Sequence, residues 1–366
     1  MIALSCRLKS DAADALDLRF TVLHNVRRDR LAVCIIGLML AKIDAADELA
    51  HDDEVDALDE FRLQWGVLDE RISHLDRTQV GVEAEVLAQA EDGLLGAQRR
   101  VDVVPLVAAD GAEPIKLISY NLRTSHGKDG DNVWMKRRHA TPEMIRREAP
   151  DVFGVQEGLI DQLHYIDAEC PQYARVGVGR DDGAEKGEFM AVYYLRDRFE
   201  LLDSGTFWLS ETPDKVSRGW DGACNRTVTW VELKDRKSGK EFFYFNTHLD
   251  HKGKAAREEG VKLLIEKIHE IAGKKAPAIV GGDFNTPVDS PIFKPLTKYM
   301  VSARAKAATT DHKGTFNGFG SAPDTIVIDH LYYRGKLKCR LFATLDGNYG
   351  APYISDHYPI AMVFTL

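Results

Sequence analysis

Residues 114–366 are predicted to fold as an α/β sandwich, with helices covering the outer faces of two packed β-sheets. Three observations point there. Nine short runs rich in β-branched and aromatic residues recur along the segment, as strands do. Two stretches with apolar residues at helical spacing lie among them. Composition also breaks near residue 113: all 12 Tyr and 12 of the 13 Pro lie beyond it. Strands interspersed with helices imply a layered core.

The first 113 residues are a different kind of chain. They hold 12 Lys plus Arg against 23 Asp plus Glu, a balance of −11, whereas the remainder holds 36 against 34, or +2. Their basic residues are 10 Arg to 2 Lys, against 16 to 20 afterwards. The stretch "DEVDALDEFRLQWGVLDERISHLD" places Val55, Leu58, Phe61 and Leu63 at loosely helical spacing. No cluster of catalytic residue types occurs here, so 1–113 reads as an N-terminal extension, helical or disordered and not catalytic. A segment that is not natural coding sequence is the alternative. The run Leu31–Ala41 is shorter than the roughly 18 residues of a membrane span and is expected to be a buried helix or strand. Its basic flank resembles a signal-peptide core but begins too far in, so no convincing export signal is present and the compartment stays open. Five dispersed Cys show no metal spacing; buried free thiols are expected, with a Cys170–Cys224 bridge as the alternative.

From Ile115 the expected strands are "IKLISYNLR", "DVFGVQEG", "EFMAVYYL", "TVTWVELK", "EFFYFNTHLD", "APAIVGGDFN", "TIVIDHLYYR", "LFATLDG" and "YPIAMVFTL". In "TPEMIRREAP", Thr141 is placed as an N-cap with Pro142 at the first helical position. In "GKAAREEGVKLLIEKIHEIAGKK", Val261, Leu264, Ile265, Ile268 and Ile271 share one face and Gly273 ends the helix.

Polar residues gather at the ends of these strands. They are Asn121 and Arg123; Gln156 and Glu157; Asn225 and Arg226; Asn246, His248 and Asp250; Asp283 and Asn285; Asp329 and His330; and Asp356 and His357. Any one of them fits a turn, because Asp and Asn bond nearby backbone groups. Seven such places on one sandwich rim suggest a site. Hard oxygen donors without a Cys/His cluster select Mg2+ or Mn2+. Such an ion neutralises charge on phosphoryl oxygens, while a base takes a proton from water and cationic donors hold the remaining oxygens.

In this order, "SYNLR", "GVQEGL", "CNR", "NTHLD", "GGDFNT", "IDHLYY" and "SDHYPI" closely resemble the endonuclease/exonuclease/phosphatase superfamily. That group contains DNase I, AP endonucleases, inositol-polyphosphate 5-phosphatases, sphingomyelinases and deadenylases. The resemblance covers 114–366 and implies a four-layered α/β sandwich of the DNase I-like type with a Mg2+-dependent phosphoester hydrolase site. It implies that Glu157 is the main metal ligand, with Asn121 beside it and Asp356 assisting. Asp283 and Asn285 orient or deprotonate the water and contact the phosphate. His357 binds and polarises the phosphate, with Asp329 as its carboxylate partner. His248 is a second catalytic histidine, Glu188 its carboxylate partner and Arg226 a phosphate-binding arginine. His330 and Asp250 stand between turn and supporting roles. Trp134 and Arg137 either pack a loop or reach the mouth of the site. Trp208 and Trp220 line the pocket or the core.

The substrate is less constrained. "VIDHLYYR" replaces the W-C-D-R segment of inositol 5-phosphatases, Arg123 replaces the acidic residue of AP endonucleases, and a balance of +2 is a thin basis for gripping DNA. What remains is a phosphodiesterase or phosphatase of bacterial type acting on a nucleotide, a sugar phosphate or a lipid head group, a reading supported by "FWLSETPDKVSRGWDGACNR". A nuclease on DNA or RNA is the alternative, and a non-catalytic binding module a second.

Overall fold

A strand buried on both faces needs cover on both, and the strands of this protein find it in a partner sheet and a helix layer. The computed structural model describes residues 113–366 and, nearer the start of the chain, the strands β1 (Ile2–Cys6) and β2 (Leu18–Val22). These two pair antiparallel, Ile2 opposite Val22, where the sequence led us to expect helix or disorder. The remaining expectations for 1–112, Leu31–Ala41 included, lie outside the described residues.

The main body runs β3 (Ile115–Asn121), α1 (Trp134–Arg137), α2 (Ala140–Glu148), β4 (Val152–Gln156), α3 (Ile160–Glu169), β5 (Tyr173–Val176), β6 (Val192–Leu195) and β7 (Phe199–Trp208). It continues with β8 (Thr227–Asp235), β9 (Glu241–His248), α4 (Lys254–Ala272), β10 (Ala278–Asp283), α5 (Lys294–Thr297), β11 (Val301–Ser302), α6 (Ala303–Lys306), β12 (Asp329–Arg334), β13 (Lys338–Thr344) and β14 (Ile360–Thr365). One six-stranded sheet has the order β11-β12-β10-β9-β8-β7 and the other β13-β14-β3-β4-β6-β5. The pairs β9–β10 and β3–β4 are parallel, and both place strand ends of the same sense on one rim.

All nine expected strands are present. The edge strands β5, β7 and β11 add to them. β7 escapes sequence reading because its mostly half-exposed "FELLDSGTFW" lacks apolar alternation. Helix α2 begins earlier than expected, with His139 at the N-cap position but making no side-chain cap bond, so Thr141 and Pro142 lie inside its first turn. Gly273 follows α4 with φ +60°, as expected of a helix stop. Cys170, Cys224 and Cys339 are free thiols, the first and last buried, and the alternative bridge is not formed.

Side-chain alternation divides the core into layers. Leu117, Val152, Phe242, Tyr244, Ile279, Leu331, Met362 and Phe364 meet between the sheets. Ile118, Tyr120, Phe153 and Val155 face the opposite way, onto Met144 and Ile145 of α2 and Leu163 and Ile166 of α3. Phe243, Phe245 and Val280 face Val261, Leu264 and Ile268 of α4. The result is helix, sheet, sheet, helix, the four-layered sandwich expected. Each fully buried apolar side chain contributes about 1.5–3 kcal/mol.

The close approach of β10 to β9 constrains one residue. Gly282 has φ +148°, and a Cβ there would collide with the Thr247 carbonyl oxygen. Gly282→Ala is therefore expected to lower the unfolding free energy by on the order of 3 kcal/mol in denaturant titration. Gly260→Ala is the control. A Cβ there makes ordinary contact with Leu209 at 3.7 Å. That change should be neutral or stabilise by up to about 1 kcal/mol.

Candidate active site

The site is the polar end of the layer between the sheets. The parity that turns Phe242 and Tyr244 inward continues along β9 to Asn246 and His248; along β10 it runs from Ile279 to Asp283. On β12 it links Tyr333 and Leu331 to Asp329, and on β3 it links Ile115 and Leu117 to Asn121. Register then aligns the ends: Asp283 stands opposite His248 on β9 and opposite Asp329 on β12, and Asn121 opposite Gln156 on β4. Deeper in, Gln156 Nε2 donates to Asn246 Oδ1 at 2.7 Å and ties the sheets together.

Three residues just beyond these ends adopt left-handed backbone: Arg123 at φ +55°, Glu157 at +60° and Asn285 at +47°. Asn accepts this readily, whereas Arg and Glu are strained, a cost that persists only where the surroundings impose it. Asn121 Nδ2 donates to Glu157 Oε1 at 3.1 Å and to Asp283 Oδ2 at 3.0 Å, drawing the two carboxylates together. The Thr124 N–H donates to Glu157 Oε2 at 3.2 Å. Asn285 donates its N–H to Asp283 Oδ1 at 2.8 Å, and its Nδ2 lies 2.9 Å from His248 Nε2.

Two imidazoles flank Asp283 in opposite charge states. His248 Nε2 is 3.3 Å from Asp283 Oδ2, yet burial and then the Arg226 and Arg180 guanidiniums hold this ring well below the ordinary histidine value. It is neutral, and its buried Nδ1 has no partner among the described residues. His357 Nδ1 is 2.8 Å from Asp329 Oδ2, and its Nε2 lies 3.7 Å from Asp283 Oδ2. Burial opposes its charged form, but Asp329 and Asp283 overcome that and push it up to about 10. Burial raises Asp283 to about 7, with the His357 charge acting against it. Burial also raises Asp356, whose Oδ2 lies 3.7 Å from Arg123 Nε.

This donor set fits a hard divalent cation. Ligand atoms of Glu157, His248 and Asp283 all lie within 4.8 Å of one another, as do those of Asp283, Asp329 and His357. Carboxylates outnumber the cationic partners that reach them, and a divalent ion would offset that excess. Cys224, Asp250 and His251 also cluster, but there the Arg226 guanidinium already supplies the positive charge, 3.6 Å from Asp250.

A family model for the endonuclease/exonuclease/phosphatase family matches residues 118–357. The chain belongs to the endonuclease/exonuclease/phosphatase family. Members are hydrolases that generally use divalent metals, phosphatases and nucleases among them. The mannosyl-6-phosphatase of Bacteroides thetaiotaomicron is 34% identical, with a TM-score of 0.66 over 69% of this chain and all of that one. Human Nocturnin is 26% identical over 209 residues, 50% of this chain and 45% of its own length. The CCR4-Not complex 3'-5'-exoribonuclease subunit Ccr4 of Kluyveromyces lactis is 22% identical over 301 residues, 64% of this chain and 38% of its own length. The chain thus spans less than half the length of the last two.

Of the residues singled out in the sequence, Asn121, Glu157, His248, Asp283, Asn285, Asp329, Asp356 and His357 converge on this rim. Arg226 is buried beside His248. Glu188 is placed differently from the expected partnership with His248. Both its oxygens bond the terminal nitrogens of Arg180, on the same hairpin, while the polar contacts of His248 are with Asn285 and Asp283. His330 has the opposite parity. Its Nε2 contacts the Thr286 carbonyl, its ring packs on Phe284 and Phe293, and burial lowers it to about 4.

Trp134 and Arg137 are structural. The Arg137 guanidinium donates to the carbonyls of Leu122, Arg123, Asn132 and Ile354, clamping two loops of the rim, and lies over Trp134. Trp208 donates to the Arg180 carbonyl at 2.8 Å and is buried. The backbone N–H of Trp220 donates to the Glu211 carboxylate. Sequence reading missed Arg180 and His251. "VGVGRDDG" gives no sign of a site, and the only hint of His251 is that it follows the "NTHLD" motif directly.

Asp250 underpins the Arg226 side. Burial alone would raise its carboxyl, but the N–H groups of Gly253 and Lys252, then Arg226 and the Ala223 N–H, hold it down at about 2. A carboxyl depressed on folding stabilises above its ordinary value of 3.8, and the benefit is lost as pH falls from about 4 towards 2. Asp250→Asn should cost on the order of 2 kcal/mol at pH 7 and flatten the stability–pH curve between about pH 4 and 2, measured by denaturant titration.

Proposed function

We propose that residues 114–366 hydrolyse a phosphomonoester of a small sugar or polyol with Mg2+, or Mn2+ in its place. The observation that carries the phosphoester-hydrolase part of this is the buried rim cluster itself, in which one carboxylate, Asp283, lies between a neutral and a charged imidazole. Similarity to the mannosyl-6-phosphatase over that protein's whole length supports the sugar phosphate in particular.

Glu157, oriented by Asn121, would hold the cation with help from Asp356. Bound there, it supplies neutralisation of the charge that builds on the phosphoryl oxygens. Asp283 accepts the proton of the attacking water, and a carboxyl raised to about 7 suits a base working near neutral pH. Asn285 fixes that carboxylate through its backbone N–H, while its Nδ2 contacts His248 Nε2 and donates to the Leu249 carbonyl. The His357 imidazolium, held in orientation by Asp329, donates Nε2–H to a non-bridging phosphate oxygen. Arg226 reinforces the phosphate side from beside His248. None of these groups distinguishes a monoester from a diester; the similarity to the mannosyl-6-phosphatase supports the monoester.

A second reading, cleavage of RNA, is favoured by the similarity to the Ccr4 exoribonuclease. The two separate in one assay. With Mg2+, mannose 6-phosphate and p-nitrophenyl phosphate should release phosphate, while single-stranded RNA and bis-p-nitrophenyl phosphate stay intact. EDTA should abolish turnover. His357→Ala and Asp283→Asn should each lower kcat by about 10²–10⁴-fold without a matching loss of fold stability. Preferential cleavage of RNA would replace the phosphatase reading with the nuclease one, and no turnover of any member would sink both.

A further inference from the structure

His251, exposed just past the end of β9, is held by a device that a surface histidine without a task does not need. Arg226 Nη2 lies 3.0 Å from His251 Nδ1. A guanidinium carries donors only, so Nδ1 must accept and the ring proton must sit on Nε2. Arg226 is 5% exposed, and its Nε and Nη1 have no hydrogen-bond partner among the described residues. Behind it stands Asp250, 3.6 Å from Nε and pinned by the N–H groups of Ala223, Lys252 and Gly253 at 2.9, 2.9 and 2.7 Å.

Burying a guanidinium with unmet donors is costly. Here the chain of backbone N–H groups, Asp250 and Arg226 ends on one imidazole edge and fixes its tautomer, as supporting residues do for a working histidine. His251 Nε2 makes no hydrogen bond among the described residues. Burial and the Arg226 charge lower the ring's proton affinity, while Asp250 and Glu157 act against them. The ring is thus neutral near pH 7 and within electrostatic reach of Glu157.

We infer that His251 is a specificity-determining residue whose Nε2–H donates to an oxygen of the substrate's leaving group, a hydroxyl or ring oxygen of a sugar. A fixed neutral donor suits a polyol oxygen, whereas a second phosphate would call for a cation. The inference rests on the phosphoester-hydrolase reading.

Calorimetric titration of the full chain with Mg2+ tests it, using the non-hydrolysable 6-phosphonate of mannose and methylphosphonate as probes. His251→Ala should weaken the sugar phosphonate roughly tenfold and leave methylphosphonate within about twofold. His251→Gln, whose amide can accept from Arg226 and donate outward, should recover most of the loss. Equal weakening of both probes would mean that the ring acts on the phosphate through Arg226, and would overturn the inference. So would unchanged affinity for the sugar phosphonate, or a wild type that binds neither probe. Hydrolysis of p-nitrophenyl phosphate by the same wild type reports on the enzymatic reading separately. Turnover without discrimination at 251 sinks the inference alone, and absence of turnover sinks the reading beneath it.

Discussion

β10 pairs in parallel with β9 and antiparallel with β12, and this double pairing sets Asp283 opposite both His248 and Asp329. The rest of the rim depends on it. Side chains alternate with a period of two, so a slip of one residue would turn Asp283 towards α4 and bring a glycine into the site. Burial of Ile279 on the inner face and of Ala278 and Val280 on the outer face makes that slip expensive. The geometry of the rim is therefore enforced by the hydrophobic core of both sheets.

The electrostatics follow from the same packing. Burial at the end of the inter-sheet layer desolvates Asp283 and Asp356 and raises their proton affinity. Asp329 is matched by the His357 imidazolium and Asp356 by Arg123, while Asp283 is shared. Among the described residues, Glu157 receives only amide and backbone donors, Asn121 Nδ2 and the Thr124 N–H. The site is thus unevenly neutralised, and its least compensated carboxylate sits on the strained turn after β4. Arg137 fastens the loops after β3 and before β14 to one another through their carbonyls.

Much of this was legible in the sequence because two signals coincide at each strand end, an apolar run of fixed parity and then a carboxylate, amide or imidazole. "AIVGGDFN" and "FFYFNTHLD" show both, and from their parity Asp283 and His248 could be placed on the inner face. His330 in "TIVIDHLYY" carries the same residue type at the wrong parity, and it packs among Phe284 and Phe293 instead. Glu188 was misread because its partner is set by a hairpin: Arg180 N bonds the Glu188 carbonyl, so the two side chains meet across the turn. No local pattern reveals such a pairing. His251 was passed over for the same reason, since its meaning lies in a contact with Arg226, 25 residues away. β5 and β11 escaped because they are only four and two residues long, and β7 because its mostly half-exposed residues lack apolar alternation.

β14 does not sit at an edge. It is inserted between β13 and β3, and Ser355 just before it donates to the Asn121 carbonyl across a separation of 234 residues. On the ribosome, Asn121 is therefore made roughly ten to fifty seconds before the segment that completes its surroundings. Until that segment arrives, one side of β3 is an open strand edge able to recruit any extended peptide nearby, and the clamp from Arg137 to Ile354 has nothing to grip. The nascent domain thus carries an exposed strand edge until its last segment is made. The same late insertion that ends the vulnerability also brings Asp356 and His357 to the rim.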